Sequence, residues 1–268
     1  MKKLFLSIVF AAFLAVQGAT CGAADKDELV VFAAASLTDS FKNIGKQFEE
    51  QNKDVTVTFN FGASNQLRLQ IEQGAAADVF ASANMKEMDT AVKGGLVAQD
   101  KAQVFARNRL VVIVPKQNPA KIETLKDLSK PGIKLVLAHE NVPVGKYSLE
   151  LFAKASGQAA YGADFKEKVL ANVVSHEESV KAVVSKVQLA NADAGIAYIS
   201  DVTEKASKEI SAIDVPDDVN LVATYPIAPL AKSKHSEAAN KFVALVLSEA
   251  GQRALTDQRF LPALEKKP

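Results

Sequence analysis

Apolar and polar residues alternate over 55–61, with Val55, Val57, Phe59 and Phe61 on one face and Thr56, Thr58 and Asn60 on the other. This period of two predicts a strand. Behind Gly62-Ala63-Ser64-Asn65 the period changes, and Leu67 and Ile71 give helical spacing as far as Gly74. The same order occurs earlier, where an apolar run from Val30 passes through Ala33-Ala34-Ala35 into a helix whose inner face is Phe41, Ile44 and Phe48. Residues 78–83 then read as a short buried strand, and 85–92 as a helix closed by Gly94-Gly95. Two apolar bursts, 104–107 and 110–115, are separated by Asn108-Arg109, where the chain is expected to leave one layer for another. A short helix at 125–128 follows, then a strand at 133–138, a helix at 143–155 and an apolar stretch at 169–174. Val180, Val183, Val184 and Val187 mark one more helix, 194–199 a strand whose glycine allows close approach, and 221–227 a strand broken by Pro226. The tail, 236–260, reads as helical, with Phe242, Val243 and Leu247 on one stripe. Strands alternating with helices predict an α/β protein built on parallel sheets.

Ser36 and Ser64 each stand where a strand gives way to a helix. Both have N-cap chemistry, and Asp39 completes an S-x-x-D variant of the capping box behind Ser36. A helix start offers unpaired N–H groups and the positive end of the helix dipole, and the neighbouring residues are small. Two readings follow: ordinary caps at ordinary turns, or two halves of an anion site.

The chain opens with Met1-Lys2-Lys3, is apolar from Leu4 to Val16, and turns small and polar to Ala24. This is the layout of a secretory signal peptide over 1–24, too short for a membrane span of about 20 residues. Cys21 is the single cysteine, and Gly18-Ala19-Thr20 matches a lipid-attachment site poorly, so a lipid anchor is only the alternative to a freely secreted, periplasmic protein. Thirty-two basic residues against 31 acidic ones argue against nucleic acid as a partner. A G-x-S-x-G elbow is absent, Gly145-Lys146-Tyr147 lacks the rest of a phosphate loop, and His139, His176 and His235 are far apart in sequence, without metal-ligand spacing. No enzyme is indicated.

Five segments occur in an order that resembles the periplasmic molybdate-binding proteins of ABC importers. They are Val31-Phe32-Ala33-Ala34-Ala35-Ser36-Leu37, Phe61-Gly62-Ala63-Ser64, Ala77-Asp78-Val79-Phe80-Ala81-Ser82-Ala83, Val142-Pro143-Val144-Gly145-Lys146-Tyr147 and Gly195-Ile196-Ala197-Tyr198. The resemblance implies the two-lobed class II periplasmic binding protein fold, each lobe a mostly parallel sheet flanked by helices. The expected division is 25–107 for the first lobe, 108–225 for the second, and 226–268 returning to the first. It further implies a ligand-binding site in which Ser36 and Ser64 each offer a hydroxyl and an N–H, Val144 and Val180 offer backbone N–H groups, and Tyr198 its hydroxyl. Molybdenum would be bound only as the oxyanion, with no protein ligand to the metal and no cofactor. Partners would be molybdate or tungstate and the membrane subunits of an ABC importer, the binding protein itself being a monomer.

Val144 departs from the family's usual alanine and adds a branched side chain beside the cleft. The start of the helix near Val180 is open: Ser175 and Glu178 spell one capping box, whereas the resemblance needs Ser179 as the N-cap. Without the resemblance, Tyr198 reads better as a partly buried core tyrosine. The competing functions are binding of another oxyanion such as sulfate or phosphate, a secreted enzyme with Ser36 or Ser64 as nucleophile, and a ligand-sensing domain of a transcription regulator.

Overall fold

The computed structural model describes residues 26–263; the expected signal peptide and Cys21 lie outside the described residues. Ten strands lie in the order β2-β1-β3-β9-β4-β7-β5-β6, with β8 and β10 also paired to β4. β1 (Asp27–Ala34) lies parallel to β2 (Val55–Gly62) and to β3 (Val79–Ala81). β4 (Gln103–Pro115) is one continuous strand where the sequence suggested two. Its residues 103–109 pair antiparallel with β9 (Val222–Pro229), which closes the first group by pairing with β3. Its residues 110–115 pair with β7 (Ala194–Tyr198) and β8 (Ile210–Asp214), and β5 (Leu135–Ala138) runs parallel between β7 and β6 (Val173–Glu177). The two lobes therefore share one strand, and every antiparallel pair involves β4 or β9. β10 (Leu261–Pro262) adds a final rung on β4.

Asn108 misled the reading of β4 because a buried amide inside an apolar run looks like a break; it is fully buried within a side-chain network described below. Pro226 does not end β9. It lies opposite the bulge between Val104 and Ala106 of β4, where the ladder is irregular and a missing N–H costs little, while its carbonyl accepts from Ser82 N–H at 2.9 Å.

In the first lobe, α1 (Thr38–Gln51) buries Phe41, Ile44 and Phe48 as its spacing predicts. Phe242 of α7 (Ser236–Leu247) packs edge-on against Phe41 and Phe48 at ring separations of 5.9 and 5.5 Å. α2 (Ser64–Glu72) and α3 (Met85–Lys93) cover the other face, where Leu67 and Met88 of the helices cluster with Phe32 and Phe80 of the sheet. The helical tail is two helices, because Ser248 caps α8 (Glu249–Thr256) by accepting from Gly251 N–H. The second lobe carries α4 (Pro143–Ser156), α5 (Phe165–Ala171) and α6 (Val180–Gln188). Gly195 of β7 is needed for packing: a Cβ there would sit 2.7 Å from Val183 Cγ1, so glycine lets α6 settle on the sheet. Among the described residues no helix is long and apolar enough to cross a membrane.

Candidate functional site

Ser36, Ser64, Val144, Val180 and Tyr198 line one small cavity between the lobes, with a volume of about 20 Å³. The rest of its wall is Ala34, Ala35, Gly62, Ala63, Ala83, Val142 and Pro143. Apart from the Tyr198 phenol, no ionisable side chain reaches it. Four helical segments begin here. Ser36 lies in a 3-10 turn, Ala35–Leu37, that runs directly into α1. Ser64 is the first residue of α2, Val144 the second of α4 and Val180 the first of α6. N–H groups in a first turn have no acceptor inside their own helix, and the dipoles add positive potential where the starts converge.

Two caps differ from expectation. Neither Ser36 nor Ser64 is an N-cap; Leu37 and Ala63 hold those positions before α1 and α2. The hydroxyls are taken up by distant partners instead: Ser36 Oγ lies 3.0 Å from Tyr225 Oη, and Ser64 Oγ accepts from Ala83 N–H at 3.0 Å. At α6 the open question is answered by Ser179, whose Oγ accepts from Ala182 N–H at 3.3 Å, while Ser175 Oγ donates to Glu177 Oε1 at the end of β6. Val180 N–H is thereby left at the helix start. At α4, Gly145 fits under the carbonyls of Ala138 and His139, which a Cβ would meet at 2.5 and 2.1 Å, so glycine seats the first turn of α4 against the end of β5.

Tyr198 ends β7 and is 1 % exposed, yet its hydroxyl bonds no partner among the described residues. Burial, with Tyr225 beside it, pushes its pKa well above the ordinary tyrosine value, so the phenol keeps its proton as a donor. Its N–H donates to Asp201 Oδ2 at 3.2 Å. Asp201 is buried, which raises its pKa, and Lys181 on α6 opposes that shift from 3.5 Å. Lys181 Nζ also reaches Asp39 of α1 at 3.2 Å, joining the lobes. Burial works against the lysine charge, but Asp201 and Asp39 outweigh it and hold the pKa above the usual range. A second contact crosses the cleft where Gln66 Nε2 donates to Glu178 Oε2 at 2.7 Å.

Sequence reasoning missed Tyr225, Asn108, Ser200, Lys181 and Asp201. Only Asn108 left a local signal, as the polar residue within an apolar strand. His139 and His176 come together across β5 and β6 at a ring separation of 6.3 Å, but among the described residues no group of three His, Cys, Asp or Glu could hold a metal. A larger hollow of about 550 Å³ beside α1 is bounded by Lys42, Lys46, Glu49 and Glu204, whose charges balance, and it lacks the all-donor lining.

The bacterial extracellular solute-binding protein model matches residues 29–261. The chain belongs to this family. As an extracellular solute-binding protein it is 38% identical over 232 residues to the molybdate-binding protein ModA of Mycobacterium tuberculosis, covering 87% of this chain and 84% of that one. Among solved structures, this solute-binding protein is similar to the substrate binding domain of a putative molybdenum ABC transporter from Clostridium difficile, with 30% identity, TM-score 0.65, and 88% and 99% of the two chains covered. The sulfate-binding protein SubI of Mycobacterium tuberculosis shares its fold at TM-score 0.80 and 22% identity, over 89% and 88% of the chains.

Proposed function

We propose that this protein captures molybdate, and tungstate equally, between its two lobes and hands it to the membrane subunits of an ABC importer, acting outside the cytoplasm as a monomer. The observation that carries the reading is the convergence of four helix starts and a buried, unpartnered Tyr198 hydroxyl on one cavity without acidic or basic side chains. A tetrahedral dianion has acceptors only, and such a wall offers donors only. Removing the ion from water costs several kcal/mol. Hydrogen bonds to a charged group return about 1.5–3 kcal/mol each, and helix ends up to about 2 kcal/mol, so the seven donors of Ser36, Ser64, Val144, Val180 and Tyr198 suffice. A nucleophilic role for Ser36 or Ser64 lacks a base, since their hydroxyls face Tyr225 and a main-chain N–H.

The lobes would divide where β4 changes partners at Arg109–Leu110 and where the chain returns between β8 and β9. This keeps the first boundary near Asn108 and moves the return ahead of Tyr225, which pairs with Ala106 inside the first sheet.

Sulfate carries the same charge and acceptors on shorter bonds, so donors spaced for the larger ion leave its hydrogen bonds stretched. Protonated phosphate brings a donor that this wall does not accept, at about 1–3 kcal/mol. Competition calorimetry on ligand-free protein at constant ionic strength should order the ions as molybdate and tungstate together, then sulfate, then phosphate. Sulfate or phosphate binding as tightly as molybdate would overturn the assignment.

A further inference from the structure

We propose that Tyr225 sets the direction of the Ser36 hydroxyl, forcing it to donate into the cavity, and that this makes Tyr225 a specificity-determining residue for unprotonated oxyanions. The inference rests on the proposed function. Distance alone leaves the Ser36–Tyr225 bond reversible, because either oxygen could donate at 3.0 Å. The surroundings remove that freedom. Asn108 Oδ1 accepts from Arg109 N–H at 3.0 Å, which fixes the amide so that its NH₂ faces Ser200 Oγ at 2.8 Å and Tyr225 Oη at a long 3.4 Å. An amide nitrogen can only donate. Among the described residues, Tyr225 Oη has hydrogen bonds of ordinary geometry with Asn108 and Ser36 alone; the Tyr198 hydroxyl beside it interacts with Tyr225 but lies outside that geometry, so Ser36 Oγ is the one well-placed acceptor for the phenol proton. Were Ser36 to donate to Tyr225 instead, a fully buried phenol proton would be left with only the poorly placed Tyr198 oxygen.

Ser36, accepting from behind, directs its own proton into the cavity that it lines. The relay runs Asn108 to Tyr225 to Ser36 to ligand, and each bond polarises the next. The phenol cannot swing away, because its ring stands edge-on to Tyr198, Phe260 and Phe105 at 5.8, 5.4 and 6.3 Å. Nothing in the mechanism of binding requires Tyr225 to touch the ion. It acts through Ser36, as a positioning residue.

Tyr225→Phe keeps these ring contacts and removes only the oxygen, so the variant should fold, and ligand-free melting checks that it does. Calorimetry is run with molybdate and with inorganic phosphate on the parent, Tyr225→Phe, Ser36→Ala and the double variant. Tyr225→Phe should weaken molybdate roughly two- to tenfold. It should also narrow the molybdate-to-phosphate preference by about tenfold, because a released Ser36 hydroxyl can turn and accept the phosphate proton. In the Ser36→Ala background, Tyr225→Phe should change neither quantity. An unchanged preference in Tyr225→Phe, with Ser36→Ala still weakening molybdate, overturns the relay and leaves the site standing. If Ser36→Ala binds molybdate like the parent, the site reading fails and the relay with it.

Discussion

Ser64→Ala should do two separable kinds of damage. Ser64 is 1 % exposed, and its Oγ accepts the N–H of Ala83 in the loop between β3 and α3. That N–H is held in place by its surroundings, since Ser82 Oγ donates to Asn84 O at 2.8 Å and Asn84 caps α3. The alanine variant therefore strands a buried main-chain donor, at about 1–3 kcal/mol. For a chain of this size each kcal/mol moves the melting point by about 2–4 °C, so ligand-free protein should melt about 2–12 °C lower. Binding loses a donor to a charged ligand, about 1.5–3 kcal/mol, or about 10- to 150-fold in affinity for molybdate. Differential scanning calorimetry without ligand reads the first effect, and titration calorimetry well below the new melting point reads the second. A variant that melts with the parent shows that Ala83 N–H does not depend on Ser64. One that binds with parental affinity shows that Ser64 offers the ion nothing.

Lys181→Met leaves Asp201 as an uncompensated buried carboxylate beside the Tyr198 N–H and removes the link to Asp39. Breaking a buried pair costs about 3–5 kcal/mol, discounted here to about 1–2 kcal/mol because Lys181 is partly exposed. Molybdate should bind about 5- to 30-fold more weakly, chiefly through faster release in stopped-flow. Asp201→Asn in the same chain should recover most of the loss, and parental release from Lys181→Met alone would refute the account. Away from the site, burial works against the Asp127 carboxylate, but Lys130 and the N–H groups of Glu123 and Thr124 pull its pKa down from 3.8 to about 2. A depressed pKa means that the folded state favours the ionised form, so this contribution is present above the unfolded value and lost as the pH falls through about 2. Asp127→Asn should cost at most about 1 kcal/mol at pH 7 after solvent screening, and the gap from the parent in denaturant melts should close between pH 4 and 2.

The helix starts near Ser36 and Ser64 were legible because each follows a strand through small residues into helical spacing, a pattern local in the chain. The atoms that those hydroxyls bond were not. Ser36 meets a tyrosine 189 positions away and Ser64 an N–H 19 positions away, so both looked like local caps when the partners were tertiary. At α6 the sequence left two local caps open, and the structure chose Ser179, whose partner lies three residues on. Asn108 and Pro226 misled for a related reason. Inside a strand each breaks a local rule, and the compensation, a buried network for one and a bulge in the neighbouring strand for the other, comes from elsewhere in the chain. β8 escaped notice because its residues are half-buried at a sheet edge and their alternation is weak.

The strand shared by the two lobes also bears on how the molecule comes apart. Two bodies joined by a loose tether can melt one after the other. Here β4 supplies a central rung to both sheets, with β9 on its first half and β7 and β8 on its second. Unravelling either sheet strips hydrogen bonds from a strand that the other still needs, so partial unfolding exposes edges on both sides at once. The lobes are thus expected to lose their structure as one cooperative unit, with a single sharp transition and hydrogen exchange in β4 governed by global opening rather than by either half.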